Sequence, residues 1–179
     1  MEYQEIIHFW FKEIDSKFWF KKDTDFDLRL KNRFLSTFQA ATRSELHPWR
    51  RTPEGSLAEV IVLDQFSRNI FRDSAKAFEF DSLALALSQT AIDKGFDQEI
   101  AINQRSFLYM PFMHSESLKI HDQAIKLFST KGLENNLDFE VRHRDIIERF
   151  SRYPHRNKVL GRESTVEELE FLAMPGSSF

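Results

Sequence analysis

The chain of 179 residues contains no cysteine. Disulfide bonds, thiolate metal ligands and a cysteine nucleophile are therefore excluded, and the composition suits a reducing compartment. Glycine and proline are scarce, five of each, which argues against a turn-dense β-sandwich and against a disordered chain. No apolar run approaches the roughly 20 residues that a membrane-spanning helix needs. The first residues carry acids where a secretory leader would carry positive charge. A soluble, cytoplasmic protein with no membrane association is expected. No segment alternates apolar and polar residues over the length of a strand, so no sheet is expected either. A glycine-rich phosphate loop and a Gly-x-Ser-x-Gly elbow are missing as well.

What the chain does have is phenylalanine, 19 of them, whose rings bury much area per residue and suit compact helix packing. Apolar residues recur at helical spacing throughout. A first helix over Glu2–Ile14 aligns Ile7, Trp10, Phe11 and Ile14. Phe18, Trp19 and Phe20 read as a packing wedge. Asp23 or Thr24 caps a second helix to about Leu46, with the stripe Leu30, Phe34, Phe38 and Ala41. Thr52-Pro53-Glu54 opens a third. Its run from Leu57 to Leu63 is so apolar that this helix should be central. Ser74 caps a fourth, reaching Lys94 and closed by Gly95. A fifth spans Asp97–Met110, where Pro111 ends or kinks it. Ser115 or Ser117 starts a sixth, closed by Lys131-Gly132. A seventh covers Leu137–Phe150, aligning Phe139, His143, Ile146, Ile147 and Phe150. Thr165 with Glu168 forms a capping box for a last short helix. The expected fold is all-α, one domain over residues 1–179, with seven or eight helices in antiparallel hairpins.

Charge is unevenly spread. The stretch Arg142–Arg162 holds seven Lys or Arg against two acids, a formal +5 in a chain of −3; the remaining 18 basic and 26 acidic residues sum to −8. Polar residues also fall on otherwise apolar stripes of separate helices: Asp64, Arg105, His121 and His143. Buried polar groups must be paired, so a shared polar pocket is one reading; satisfied core residues and a solvated basic face are the plain alternatives. Arg68, Arg72, Arg105, Arg149, Arg152, Arg156 and Arg162 offer forked guanidiniums that match carboxylate or phosphate. In this reading Asp64 orients an arginine, most simply Arg68 one turn on, His155 joins the arginines, and His114 and His143 complete the wall. The expected partner is a small anionic molecule or an acidic peptide. An enzyme built on the same residues, with His143 or His155 as general acid/base, is the first alternative; a helical interaction scaffold is the second. His114, Glu116, His121, His143 and His155 supply metal-ligand types, but no His-x-x-x-His or His-Glu-x-x-His pair occurs and the arginines would repel a cation, so no metal or other cofactor is expected. His114, Ser115 and Glu116 are adjacent and cannot form a serine relay. Tyr153 and Phe150 could stack on a base, yet without a broad basic surface nucleic acid is disfavoured.

Four segments carry a resemblance: Leu63-Asp-Gln-Phe-Ser-Arg-Asn-Ile-Phe-Arg72, Phe107-Leu-Tyr-Met-Pro-Phe-Met-His-Ser-Glu116, Phe150-Ser-Arg-Tyr-Pro-His-Arg-Asn157 and Leu160-Gly-Arg-Glu-Ser-Thr165. In this order they resemble a largely bacterial family known as domain of unknown function nine-two-four. The similarity extends to the Pro-Gly-Ser-Ser-Phe ending. The resemblance implies a tetratricopeptide-like stack of antiparallel helix pairs, and it brings no activity or catalytic residue. Ser67 stands where the family has Pro, Ser151 where it has Gly, and His121 where it more often has Gln. The last of these favours hydrogen bonding over metal ligation at His121, since either side chain can donate.

Overall fold

The computed structural model describes residues 2–177; Met1, and Ser178 and Phe179 of the expected ending, lie outside the described residues. The chain is all-helical: 72 % of it is helix, with no strand among the described residues. Helix α1 (Tyr3–His8) widens into a π-helical turn at Phe9–Glu13, and α2 spans Thr24–Thr42. Helix α3 (Pro53–Ile61) continues through a second π turn (Val62–Phe66) into α4 (Ser67–Ile70) as one rod. Then follow α5 (Asp81–Asp93), α6 (Ile102–Met113), α7 (Leu118–Phe128), α8 (Glu134–Phe150) and α9 (Val166–Leu172). Taking α3 and α4 together, eight rods build one domain among the described residues.

The caps explain where several of these begin. Asp23 accepts from the Phe26 amide at 3.0 Å, Thr52 from the Gly55 amide at 3.1 Å, and Thr165 from the Glu168 amide at 3.2 Å. Each supplies one of the acceptors that a helix start lacks. Helix α3 is central as expected: every residue from Gly55 to Ile61 is buried, and it packs against α1, α5 and α6. Phe66 anchors an aromatic cluster, 5.1 Å from Phe34, 5.6 Å from Trp10 and 6.1 Å from Phe9 between ring centres. Fully burying such a side chain contributes on the order of 1.5–3 kcal/mol. The main core draws on α1 to α7; a smaller cluster of Ile146, Ile147 and Tyr153 holds α8 and the segment after it.

Several expectations are corrected. In the first helix Trp10 of the expected stripe is fully buried, but its companions in the core are Ile6 and Phe9, while Ile7, Phe11 and Ile14 pack against it half-buried. Phe20 is exposed, not part of a wedge, while Trp19 donates to the Trp10 carbonyl at 3.0 Å. Helix α2 stops at Thr42, ahead of Leu46, because Ser44 turns left-handed with φ 57°. Ser74 caps only a 3-10 turn (Ala75–Ala77), and α5 begins later, at Asp81. Helix α6 starts at Ile102, not Asp97, and runs through Pro111 to Met113. Proline removes one amide from the ladder there, and the Ser88 hydroxyl donates to the adjacent Leu108 carbonyl. Helix α8 begins three residues before Leu137, and its Phe139 faces outward while Glu140 takes the buried place.

Candidate functional site

The turn after α6, His114–Glu116, is where the helices meet. Asp64 is fully buried in the π turn after α3, an element that recurs at functional sites because it re-aims side chains. Its carboxylate meets His114 Nδ1 at 2.7 Å, receives Gln65 at 2.5 Å and lies 3.3 Å from the Arg68 guanidinium. Burial alone would raise this carboxyl; the Arg68 charge and the hydrogen bonds from His114 and Gln65 outweigh it and hold it well below the usual range. Burial, together with Arg68, pushes His114 below its ordinary value, so the ring is neutral at pH 7, with Nδ1–H donating to Asp64. Arg68 also donates to the Asp64 carbonyl at 2.6 Å and forks onto Asp81 at 3.0 Å twice.

Beyond Asp81 stands Arg156, 6 % exposed. It donates to Asp81 at 3.2 Å and to the His114 carbonyl at 3.1 Å, and its guanidinium lies 4.5 Å from the Phe78 ring centre and 4.6 Å from that of Tyr153. Its Nε has no partner among the described residues. Burial and the nearby Arg68 charge loosen its proton. Glu116 accepts two bonds from Arg162, at 2.7 and 2.9 Å, and one from the Tyr153 amide at 2.7 Å. On the other side of the turn His121 is fully buried. Its Nδ1 meets Glu140 at 2.6 Å, and its Nε2 the Ser115 carbonyl at 2.8 Å and the Tyr153 hydroxyl at 3.2 Å. Burial raises Glu140 above its ordinary value despite His121. The rings of His143 and His155 pack on Tyr153, with centres 5.7 and 5.5 Å away, and burial lowers them to about 3 and about 4.

Between α5, the end of α6 and the Pro154–Arg156 turn lies a cleft of about 270 Å³, lined by Phe78, Glu79, Asp81, Ser82, Pro111, His114, Ser115, Glu116, Arg156 and Leu160 among others. Of the residues singled out in the sequence, Asp64, Arg68, His114, Glu116, His121, His143, Arg152, His155, Arg156 and Arg162 are linked through bonds and ring contacts into one network, of which His114, Glu116 and Arg156 line the cleft. Three do not join. Arg72 forks onto Asp27 at 2.5 and 2.8 Å, Arg105 reaches Gln98 at 3.3 Å, and Arg149 reaches Glu167 at 2.7 Å on the surface.

The basic run is neither an open anion cradle nor a bare solvated face. Arg144 takes Asp122 and Glu148, Arg152 forks onto Glu168 at 2.6 and 2.8 Å, and Arg156 and Arg162 take Asp81 and Glu116. Arg152 in turn pulls the Glu168 carboxyl down to about 2. Sequence reasoning missed these acids. Glu168 was visible as a capping-box residue, which it is, since it also accepts the Thr165 amide at 2.8 Å; nothing local marked it as an arginine clamp. Asp81 looks like any acid in a first helical turn. Among the described residues no three His, Asp or Glu side chains converge as a metal site, and no helix is long and apolar enough to cross a membrane.

Fold and site together define an all-helical domain with a small polar cleft, floored by buried ion pairs. The chain belongs to a family of bacterial proteins of unknown function (DUF924), whose model matches residues 6–176. It is similar to a protein of unknown function from Agrobacterium tumefaciens of solved structure, 40 % identical, with a TM-score of 0.91 over 96 % of each chain. No curated protein matches it.

Proposed function

We propose that this is a cytoplasmic protein that binds a small carboxylate-bearing molecule, or the terminal carboxylate of an acidic peptide, in the cleft beside Arg156. The observation that carries this reading is the unequal use of the arginines. Arg72, Arg152 and Arg162 are each closed by a bidentate carboxylate, and Arg68 adds the Asp64 carbonyl to its fork on Asp81. Arg156 lines the cleft and holds Asp81 through a single 3.2 Å bond and the His114 carbonyl through one of 3.1 Å, with no carboxylate forked onto it. A guanidinium onto which no carboxylate forks still offers its paired donors to an anion in the cleft. Asp81 would lose little, because Arg68 still holds it. A carboxylate group, which brings one charge to the guanidinium, suits the site better than a phosphate group, which brings two, since Glu79, Asp81 and Glu116 also border the cleft. The volume equals roughly nine waters at about 30 Å³ each, the scale of a small metabolite. We also read α5 to α8, each packed on its successor, as tetratricopeptide-like hairpins.

Calorimetry with succinate, and with inorganic phosphate for comparison, tests the reading on the parent protein, on Arg156→Lys and on Ser82→Trp, which fills the cleft from an exposed rim position. Succinate is expected to bind, and both variants to weaken it by roughly tenfold or more. No binding by the parent, or equal affinity in both variants, overturns the proposal.

A further inference from the structure

Three features remain outside that reading. The His121–Glu140 pair is fully buried and opens onto no cleft, with His121 spent on Glu140, the Ser115 carbonyl and Tyr153. The exposed apolar residues of α8 and α9, Phe139, Val141, Val166 and Leu169, have nothing against them that identifies an occupant. The Asp64–His114 pair is different, because one of its members opens onto the cleft.

His114 lines the cleft with its side chain 16 % exposed, whereas Asp64 behind it is 1 % exposed. The ring's Nδ1 is committed to Asp64 at 2.7 Å. Its Nε2 has no hydrogen-bond partner among the described residues and is not one of the enclosed nitrogens, so it is the nitrogen left to the cleft. A carboxylate on Nδ1 fixes the tautomer that leaves the lone pair on Nε2, and it stabilises the imidazolium that forms when Nε2 takes a proton. Asp64 is itself kept in place by Gln65 and Arg68, so the orientation is over-determined. The neighbours of the pair are two guanidiniums, Arg68 and Arg156, and two carboxylates, Asp81 and Glu116.

We infer that His114 is a general base oriented by Asp64, and that the cleft hydrolyses a small ester whose acid part carries one further carboxylate. Nε2 removes a proton from a water molecule as the water oxygen bonds to the acyl carbon. The carbon–oxygen bond to the leaving alcohol then breaks, and the proton passes from Nε2 to the departing oxygen. An acid and an alcohol result, and nothing is oxidised or reduced. Arg156 binds the substrate's carboxylate, so the substrate class rests on the proposed anion binding, while the base does not. His114 is the catalytic residue and Asp64 a positioning residue. His143 and His155, the acid/base candidates from the sequence, are packed on Tyr153 and do not line the cleft.

The test uses the full chain, two p-nitrophenyl esters (the neutral acetate and the mono-ester of succinic acid) and diethyl pyrocarbonate. The reagent is expected to label His114 ahead of His143 and His155 near pH 6.5, and succinate to protect it. Both esters are expected to turn over, with a rate that rises with pH and levels off below the ordinary histidine range. His114→Asn keeps a donor towards Asp64 and removes the base; it should lose roughly a hundredfold or more of kcat. Asp64→Asn should lower kcat and move the pH profile, with KM unchanged. Turnover equal in His114→Asn, or no turnover of either ester above buffer, overturns the inference even where succinate binds. His114 labelling no faster than that of the buried histidines overturns it too, whether or not the variants fold. Turnover of the acetate that depends on His114, without succinate binding, supports the base and sinks only the anion site.

Discussion

Ser151 shows how much one residue can carry. Helix α8 ends there with φ 57° and ψ 11°, a left-handed turn that starts the chain toward Tyr153 and Arg156. A side chain in that conformation costs about 1–2 kcal/mol, which glycine avoids while losing some entropy on folding. Ser151→Gly is expected to raise stability by about 0.5–1 kcal/mol, with the denaturant slope unchanged; a lower urea midpoint would contradict it. Asp64 is the other instructive residue. Its place on an apolar stripe was enough to mark it as a carboxylate in need of a partner, and Arg68 does lie beside it. The shortest partner outside its own turn is His114, 50 residues away, and nothing in the local pattern pointed there.

At the scale of elements, the starts of α2, α3 and α9 marked by a capping side chain were legible, whereas those of α5, α6 and α8 were not, and the expected end is met at Phe150 but not in α2. Asp23, Thr52 and Thr165 cap as expected because capping depends on three or four consecutive residues. The π turns, and the passage of α6 through Pro111, depend on what packs against the helix. Gly55 illustrates a local need with a tertiary origin. A Cβ there would fall 2.2 Å from the Trp49 carbonyl oxygen, because α3 starts against the 3-10 turn His47–Arg51. Gly55→Ala is therefore expected to cost about 1–3 kcal/mol, although alanine favours helix elsewhere. A melting temperature at or above that of the parent would refute the close approach.

At the scale of the molecule, two kinds of attachment hold the fold. Helices α1 to α7 share the large apolar core, whereas α8, the segment after it and α9 are fastened by a small apolar cluster and by Arg152–Glu168, Arg162–Glu116 and Arg156–Asp81. His143 and His155 sit in that second part with folded values of about 3 and about 4, below the 6.5 of the free side chain. Their values are depressed on folding, so the unfolded chain takes up protons first as pH falls. The stability they contribute is complete above about pH 6.5 and is lost toward pH 4 and below, by on the order of 1 kcal/mol per pH unit for each. Hydrogen exchange at pH 5 against pH 7, corrected for intrinsic rates, should therefore show α8 and α9 losing protection before α3; equal loss in all three would contradict the two-part attachment. What the sequence by itself determined is the class of fold, the central helix and the departure of Asp64, His121 and His143 from the surface, because periodicity and capping are properties of neighbours along the chain. Only the tertiary structure decided which carboxylate meets which arginine, that the basic run is largely neutralised from within, and that His114 rather than His143 or His155 reaches the cleft. Those pairings join residues tens of positions apart, and their energy exists only once packing has brought the partners within hydrogen-bond distance and excluded the water that would otherwise screen them.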